Sequence, residues 1–168
     1  MRKNRSATLV LFTLLLAGCS SRAAEPRNKI PHELQAILKQ ADQFELLSLN
    51  PTELPQDTIP KDSFHDWEVL GQTIVKNAET RKQLIAAFKK GVEENEGIVA
   101  ACFTPRHGFR VTHGSKTADF VICFECLQVH AYIGDQWEKS FLITASPQDL
   151  FDSVLKEAKV SLAEKPKP

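Results

Sequence analysis

The stretch from residue 98 to residue 143 does most to decide the fold. It contains apolar or β-branched runs at 98–103, 109–113, 117–124, 127–133 and 137–143. Runs of this length and composition read as strands. They are separated by short breaks: Pro105 and Gly108, then Gly114-Ser115-Lys116, then Gly134-Asp135-Gln136. A parallel pair needs a crossover of about a dozen residues or more, so strands this close in sequence pair antiparallel.

The elements around this block follow from periodicity. Ile30, Leu34, Ile37, Leu38 and Ala41 share one helical face, which predicts a helix over 31–43 with Pro31 tolerated at its start. Residues 44–49 read as a strand, and 50–63, with Pro51, Pro55 and Pro60, as a loop. Trp67, Val69, Thr73 and Val75 alternate, predicting a strand over 64–75 bent at Gly71. Asn77 is placed to cap a helix over 78–94 whose stripe is Leu84, Ile85, Phe88 and Val92. Ser146-Pro147-Gln148-Asp149 resembles a capping box opening a last helix, with Leu150, Val154, Leu155 and Ala158 facing inward. The order α-β-β-α-β-β-β-β-β-α predicts an α+β domain: an antiparallel β-sheet with helices packed mainly on one face, a two-layer sandwich.

Composition narrows the function classes. With 42% hydrophobic and 25% charged residues, whole-chain disorder and fibrous repeats are excluded. The 21 basic residues are matched by 21 acidic ones, so no basic excess points to nucleic acid. No apolar run reaches the ~18–20 residues that span a bilayer. No G-x-S-x-G, H-E-x-x-H, phosphate loop or dinucleotide fingerprint is present.

The first residues read as a targeting segment. Arg2, Lys3 and Arg5 precede an apolar stretch at 7–17, which ends Leu16-Ala17-Gly18-Cys19. This ending resembles the bacterial lipobox. The resemblance implies a lipoprotein signal peptide at 1–18, cleavage before Cys19, a thioether-linked diacylglycerol on Cys19, and acylation (palmitate or similar) of the new N-terminus. Several acyl chains anchor a protein stably to a membrane. Ser20, where an Asp would retain the protein at the inner membrane, implies the outer membrane in a two-membrane cell. Residues 19–29 are then a flexible tether, 30–162 a single domain, and 163–168 a disordered tail. Cleavage would remove three of the 21 basic residues and no acidic one, leaving 18 against 21 and a net charge of −3. The compartment is extracytoplasmic, where disulfides persist.

Three cysteines remain in the domain. Cys102, His107, Cys123 and Cys126 are the right types and number for a Cys₃His zinc site. Cys123-Phe124-Glu125-Cys126 is also a C-x-x-C pair, the spacing of redox motifs. In an unbroken strand those two cysteines point to opposite faces about 10 Å apart. They pair only if the chain turns at Phe124-Glu125. The other pairing joins Cys102 to one of them. A Cys102–Cys126 bond would close a 25-residue loop, about 3.5 kcal/mol by loop-closure entropy. Arg106, His107, Arg110, His113 and Lys116 form a basic segment with no acid between Thr104 and Thr117. A tight turn at Gly108 would let Arg106, His107 and Arg110 converge on a small anion or an envelope partner.

The pattern Cys102-Phe103-Thr104-Pro105-Arg106-His107-Gly108 with Ile122-Cys123-Phe124-Glu125-Cys126 is similar to one found in small, uncharacterised bacterial lipoproteins. That family carries no known activity, so the resemblance implies no catalytic residue. The expected function is a lipid-anchored cell-envelope protein with a non-catalytic binding or interaction module, without a cofactor. The alternative is a zinc site, or a thiol/disulfide site, on Cys102, His107, Cys123 and Cys126.

Overall fold

The structure, a computed structural model, describes residues 28–164. Cys19, the leader and nearly all of the expected tether lie outside the described residues. Among the described residues, three α-helices, six strands and a short 3-10 turn at Gln56–Thr58 are formed: α1 (His32–Gln40), β1 (Gln43–Leu49), β2 (Val69–Ile74), α2 (Ala78–Glu93), β3 (His107–His113), β4 (Lys116–Cys123), β5 (Gln128–Ile133), β6 (Gln136–Leu142) and α3 (Gln148–Glu157). The strands make one antiparallel sheet in the order β2-β1-β3-β4-β5-β6. The fold is α+β, as expected, with the helices against one face.

That face is built on phenylalanine. Alternation sends Phe44 of β1, Phe109 of β3 and Phe120 of β4 to the same side. Their rings stack in a row, with centroids 5.0 and 4.5 Å apart and planes within 20°. Phe88 of α2 stands edge-on over Phe109 and Phe120, and Phe151 of α3 leans on Phe109. Asn77 caps α2 by accepting from the backbone N–H groups of Glu79 (2.8 Å) and Thr80 (3.0 Å). Gly91 is where α2 meets the start of α3: an added Cβ would sit 2.7 Å from Pro147 Cγ.

The opposite face is covered without α-helices. Leu47, Leu49, Phe64 and Val121 form a second buried cluster, with Trp67, Val69, Phe103 and Tyr132 packed around it. The chain segments 50–68 and 98–106 lie over this face and supply Phe64, Trp67 and Phe103.

Several local expectations change. Residues 98–103 are not a strand. β4 and β5 already pair with each other, and this segment runs past the end of their hairpin. The backbone N–H of Ala100 donates to Cys126 O (3.1 Å), and the Gln128 side chain donates to the carbonyls of Ala100 and Cys102. Ile98 and Val99 stay exposed. Strand β2 starts only at Val69, because 64–67 make a tight hairpin in which Phe64 and Trp67 exchange backbone hydrogen bonds. The central residues of that turn, His65 and Asp66, both have positive φ (50° and 72°). That pattern is the backbone of a type I′ turn, usually served by Asn or Gly. Ser146 does not cap α3; its hydroxyl lies 2.8 Å from that of Thr144. At the other end, Asn28 is fastened to the domain: its side chain donates to Val92 O and Leu142 O and accepts from Leu142 N–H.

Candidate functional site

The turn on which a Cys123–Cys126 pairing depends is present. Residues 124–127 link β4 to β5, and Leu127 takes φ 58° to close the reversal. No Gly or Pro marks it. Reversal brings the Cα atoms of Cys123 and Cys126 to 5.1 Å, and the two are joined as a disulfide, within the ~4.4–6.8 Å such bonds need. Cys102 is the free cysteine and is exposed. Its Sγ lies 3.0 Å from Cys126 Sγ. All three sulfurs of the domain are therefore in one place. Backbone donors surround them: Cys126 N–H donates to Cys123 Sγ (3.1 Å) and Thr104 N–H to Cys126 Sγ (3.4 Å). Both bridge residues are 0% exposed.

His107 does not join the sulfurs. It sits on the helix-covered face of β3, where its Nε2 is 2.7 Å from Asp152 Oδ1 of α3 and its ring packs edge-on against Phe124. The Cys₃His zinc set is thus not assembled. Two of its sulfurs bond to each other, and its imidazole is on another partner. Among the described residues no group of three or more His, Cys, Asp or Glu side chains is arranged to hold a metal. Ser48 faces His107 across the β1–β3 ladder. Its hydroxyl has no hydrogen-bond partner and the residue is 0% exposed. A serine sealed in this way cannot meet a substrate, so the trio Ser48, His107 and Asp152 does not make a nucleophile.

The candidate anion site is also not brought together. Gly108 makes no turn; it lies within β3, in the middle of the sheet. Its missing side chain makes room for Phe64, whose ring an added Cβ would approach to 2.9 Å. Arg106 is buried and pairs with Glu125 of the β4–β5 turn. Arg110 points to the opposite face from His107 and grips Asp119 with two bonds, Nε to Oδ1 (2.8 Å) and Nη2 to Oδ2 (2.6 Å). Each cation is answered by its own carboxylate.

That last pair belongs to a site the residue pattern did not reveal. Asp119 is fully buried, and His65 Nε2 is 2.8 Å from its Oδ2. Burial pushes the Asp119 carboxyl up, but the hydrogen bonds from Arg110 and His65 outweigh it and hold the group below its ordinary value. The hydrogen bond to Asp119 in turn raises Arg110. The network fixes the His65-Asp66 turn, and the His65 ring stacks on Tyr132 at 3.6 Å. Two residues earlier along β5, His130 stacks on Phe103 at 3.7 Å. Between these stacks opens a cleft of about 400 Å³, whose wall includes Trp67, Phe103, His130 and Tyr132, with Glu53 and Asp66 at its polar side. Among the described residues lining it there is no Lys or Arg. Burial holds the His130 imidazole below its ordinary value, so it favours the neutral form. Burial, then the nearby Asp66 charge, raises the Tyr132 phenol.

One signal for this site was available in the sequence. Asp119 falls on an inward-facing position of an apolar strand, with Arg110 across the β3–β4 turn. A charge placed there requires a partner. The His65-Asp66 turn offered only a weak signal: both residue types tolerate positive φ, but neither position carries the glycine that usually marks a type I′ turn. The chain matches no protein-family model, no curated protein and no solved structure.

Proposed function

We propose that this chain is a lipid-anchored protein of the cell envelope whose domain is a binding module, and that the cleft beside Phe103 and Tyr132 is its binding surface. The anchor rests on the lipobox ending at Cys19, and the disulfide agrees with an oxidising compartment. A Cys19→Ala variant is expected to move from the membrane fraction to the soluble fraction. Retention in the membrane would refute the anchoring.

The observation that carries the binding reading is the cleft's lining. It combines aromatic rings with two carboxylates and no fixed cation. Its volume is that of a small-ligand site. Rings with a negative field suit an organic cation, through cation–π attraction and carboxylate pairing. The ligand class is therefore a small ammonium-bearing compound.

Choline and its neutral isostere 3,3-dimethylbutanol, titrated into the whole protein and read by NMR of the histidine and tryptophan rings, separate charge from shape. Choline is expected to shift the His130 and Trp67 signals saturably, and the isostere to bind roughly tenfold more weakly, about 1.4 kcal/mol. Asp66→Asn, which keeps a residue tolerant of positive φ, should weaken choline alone. Equal binding of both compounds, or of neither, would refute the cation reading.

A further inference from the structure

We infer that Cys102, Cys123 and Cys126 form a thiol–disulfide exchange site in which Cys102 is the entry thiol and the bridge migrates. The inference does not depend on the cleft or its ligand. It starts from an asymmetry of access. The Cys123–Cys126 bridge is sealed, with both residues 0% exposed, so a thiol from solution cannot reach it. Cys102 is exposed, and its sulfur already touches Cys126 at 3.0 Å. The free thiol that meets solvent is also the one in contact with the bond.

The step balances within the chain. The Cys102 thiolate attacks Cys126 Sγ, forming a Cys102–Cys126 bond while the Cys126–Cys123 bond breaks. Cys123 leaves as the thiolate and takes up the proton that Cys102 gave to solvent. Nothing is oxidised or reduced overall. The leaving sulfur is already served by a donor, since Cys126 N–H points at Cys123 Sγ (3.1 Å). A hydrogen bond of that kind stabilises a thiolate and makes it a better leaving group. The attacked sulfur keeps its own donor in Thr104 N–H. The bridge that results contains the sulfur of an exposed residue. A small external thiol can then attack at Cys102, giving a mixed disulfide there and releasing the Cys126 thiolate. The substrate class is thus a low-molecular-weight thiol or its disulfide, handled through Cys102 alone.

The placement of the three residues serves this chemistry. Gln128 donates to the Cys102 and Ala100 carbonyls and holds the incoming segment over the turn. Arg106, buried and paired with Glu125, fixes the turn between the two bridged cysteines.

Two measurements on the whole protein test the site. In the first, protein held without reductant at about pH 8, near the ordinary thiol pKa, is quenched in acid. Its free thiols are alkylated and its peptides mapped, with cleavage after Glu125 placing Cys123 and Cys126 on separate peptides. Two species are expected: Cys123–Cys126 with label on Cys102, and Cys102–Cys126 with label on Cys123. A single bridge with all label on Cys102 at every time would overturn bridge migration. In the second, reduced glutathione is added to the wild type and to Cys102→Ser. The variant's bridge should be reduced roughly tenfold more slowly or worse, because its entry thiol is gone. Equal rates would overturn the role of Cys102.

Discussion

At the scale of single residues, Asp119 carries more than its neighbours. It is fully buried, and both of its oxygens are taken, by Arg110 and His65. Removing the charge leaves a guanidinium facing a group that no longer answers it, and frees the His65-Asp66 turn from its only carboxylate anchor in that network. Breaking a buried pair by removing one partner costs roughly 3–5 kcal/mol. Arg110 is 40% exposed at its side chain and can turn to water, so Asp119→Asn should cost less, about 2 kcal/mol. The urea midpoint measures it, and a loss below about 0.5 kcal/mol would show that the network only orients the turn. Residues of this kind were hard to read in the sequence. The cysteines announced themselves by type, and all three do meet. His107 was of the right type for a metal, yet β3 alternation sends it to the helix side and onto Asp152. Arg106 and Arg110 looked like a free basic cluster because their acids, Glu125 and Asp119, lie across turns rather than beside them in sequence.

Among the elements, legibility followed the strength of period and cap. Helix α2 was readable to within a residue because Asn77 and the Leu84, Phe88, Val92 stripe agree. Strands β4, β5 and β6 were readable because short turns bound them. The failure at 98–103 has a physical cause. β-branched and apolar content marks a segment that prefers extended backbone, but a strand also needs an open ladder beside it. The β4–β5 hairpin offers none at its end, so the segment forms no ladder beyond the single Ala100–Cys126 backbone bond and delivers Cys102 and Phe103 to their partners. The hairpin at 64–67 was hidden because a type I′ turn is normally signalled by Asn-Gly. Here His65 and Asp66 occupy it. The cost of two left-handed non-glycine residues is met by specific tertiary bonds, His65 to Asp119 and its stack on Tyr132. Strain held in place by a buried network is common where a binding surface must be preformed. The same turn puts Asp66 at the cleft, which is why the network and the candidate surface are one unit.

For the molecule as a whole, acid acts on two groups of the sheet face away from the helices. The helix face is mostly aromatic and aliphatic, with the buried His107–Asp152 pair at one end. The other face holds His130 and Asp119, each with a folded pKa below its ordinary value. A histidine lowered by burial contributes stability that is complete above its unfolded pKa of about 6.5. That stability is lost as pH falls from there to the folded value, because the unfolded chain gains a proton the folded one refuses. Asp119 acts lower. Its contribution is complete above the unfolded value of about 3.9 and is lost as pH falls through the still lower folded value. Stability should therefore fall in two separate steps on acidification. His130→Gln should remove the first step and leave the second, while Asp119→Asn should do the reverse. Urea midpoints taken from about pH 8 to pH 3 resolve this, and a first step that survives His130→Gln would assign it to another group. Binding at the cleft is tied to the same titration. Once His130 takes a proton, the cleft gains a positive charge beside Glu53 and Asp66, which opposes a cationic ligand. Choline affinity should thus decline only at the low end of the first step, as pH reaches the lowered His130 value. In His130→Gln that decline should be absent, because the charge that opposes the ligand can no longer form.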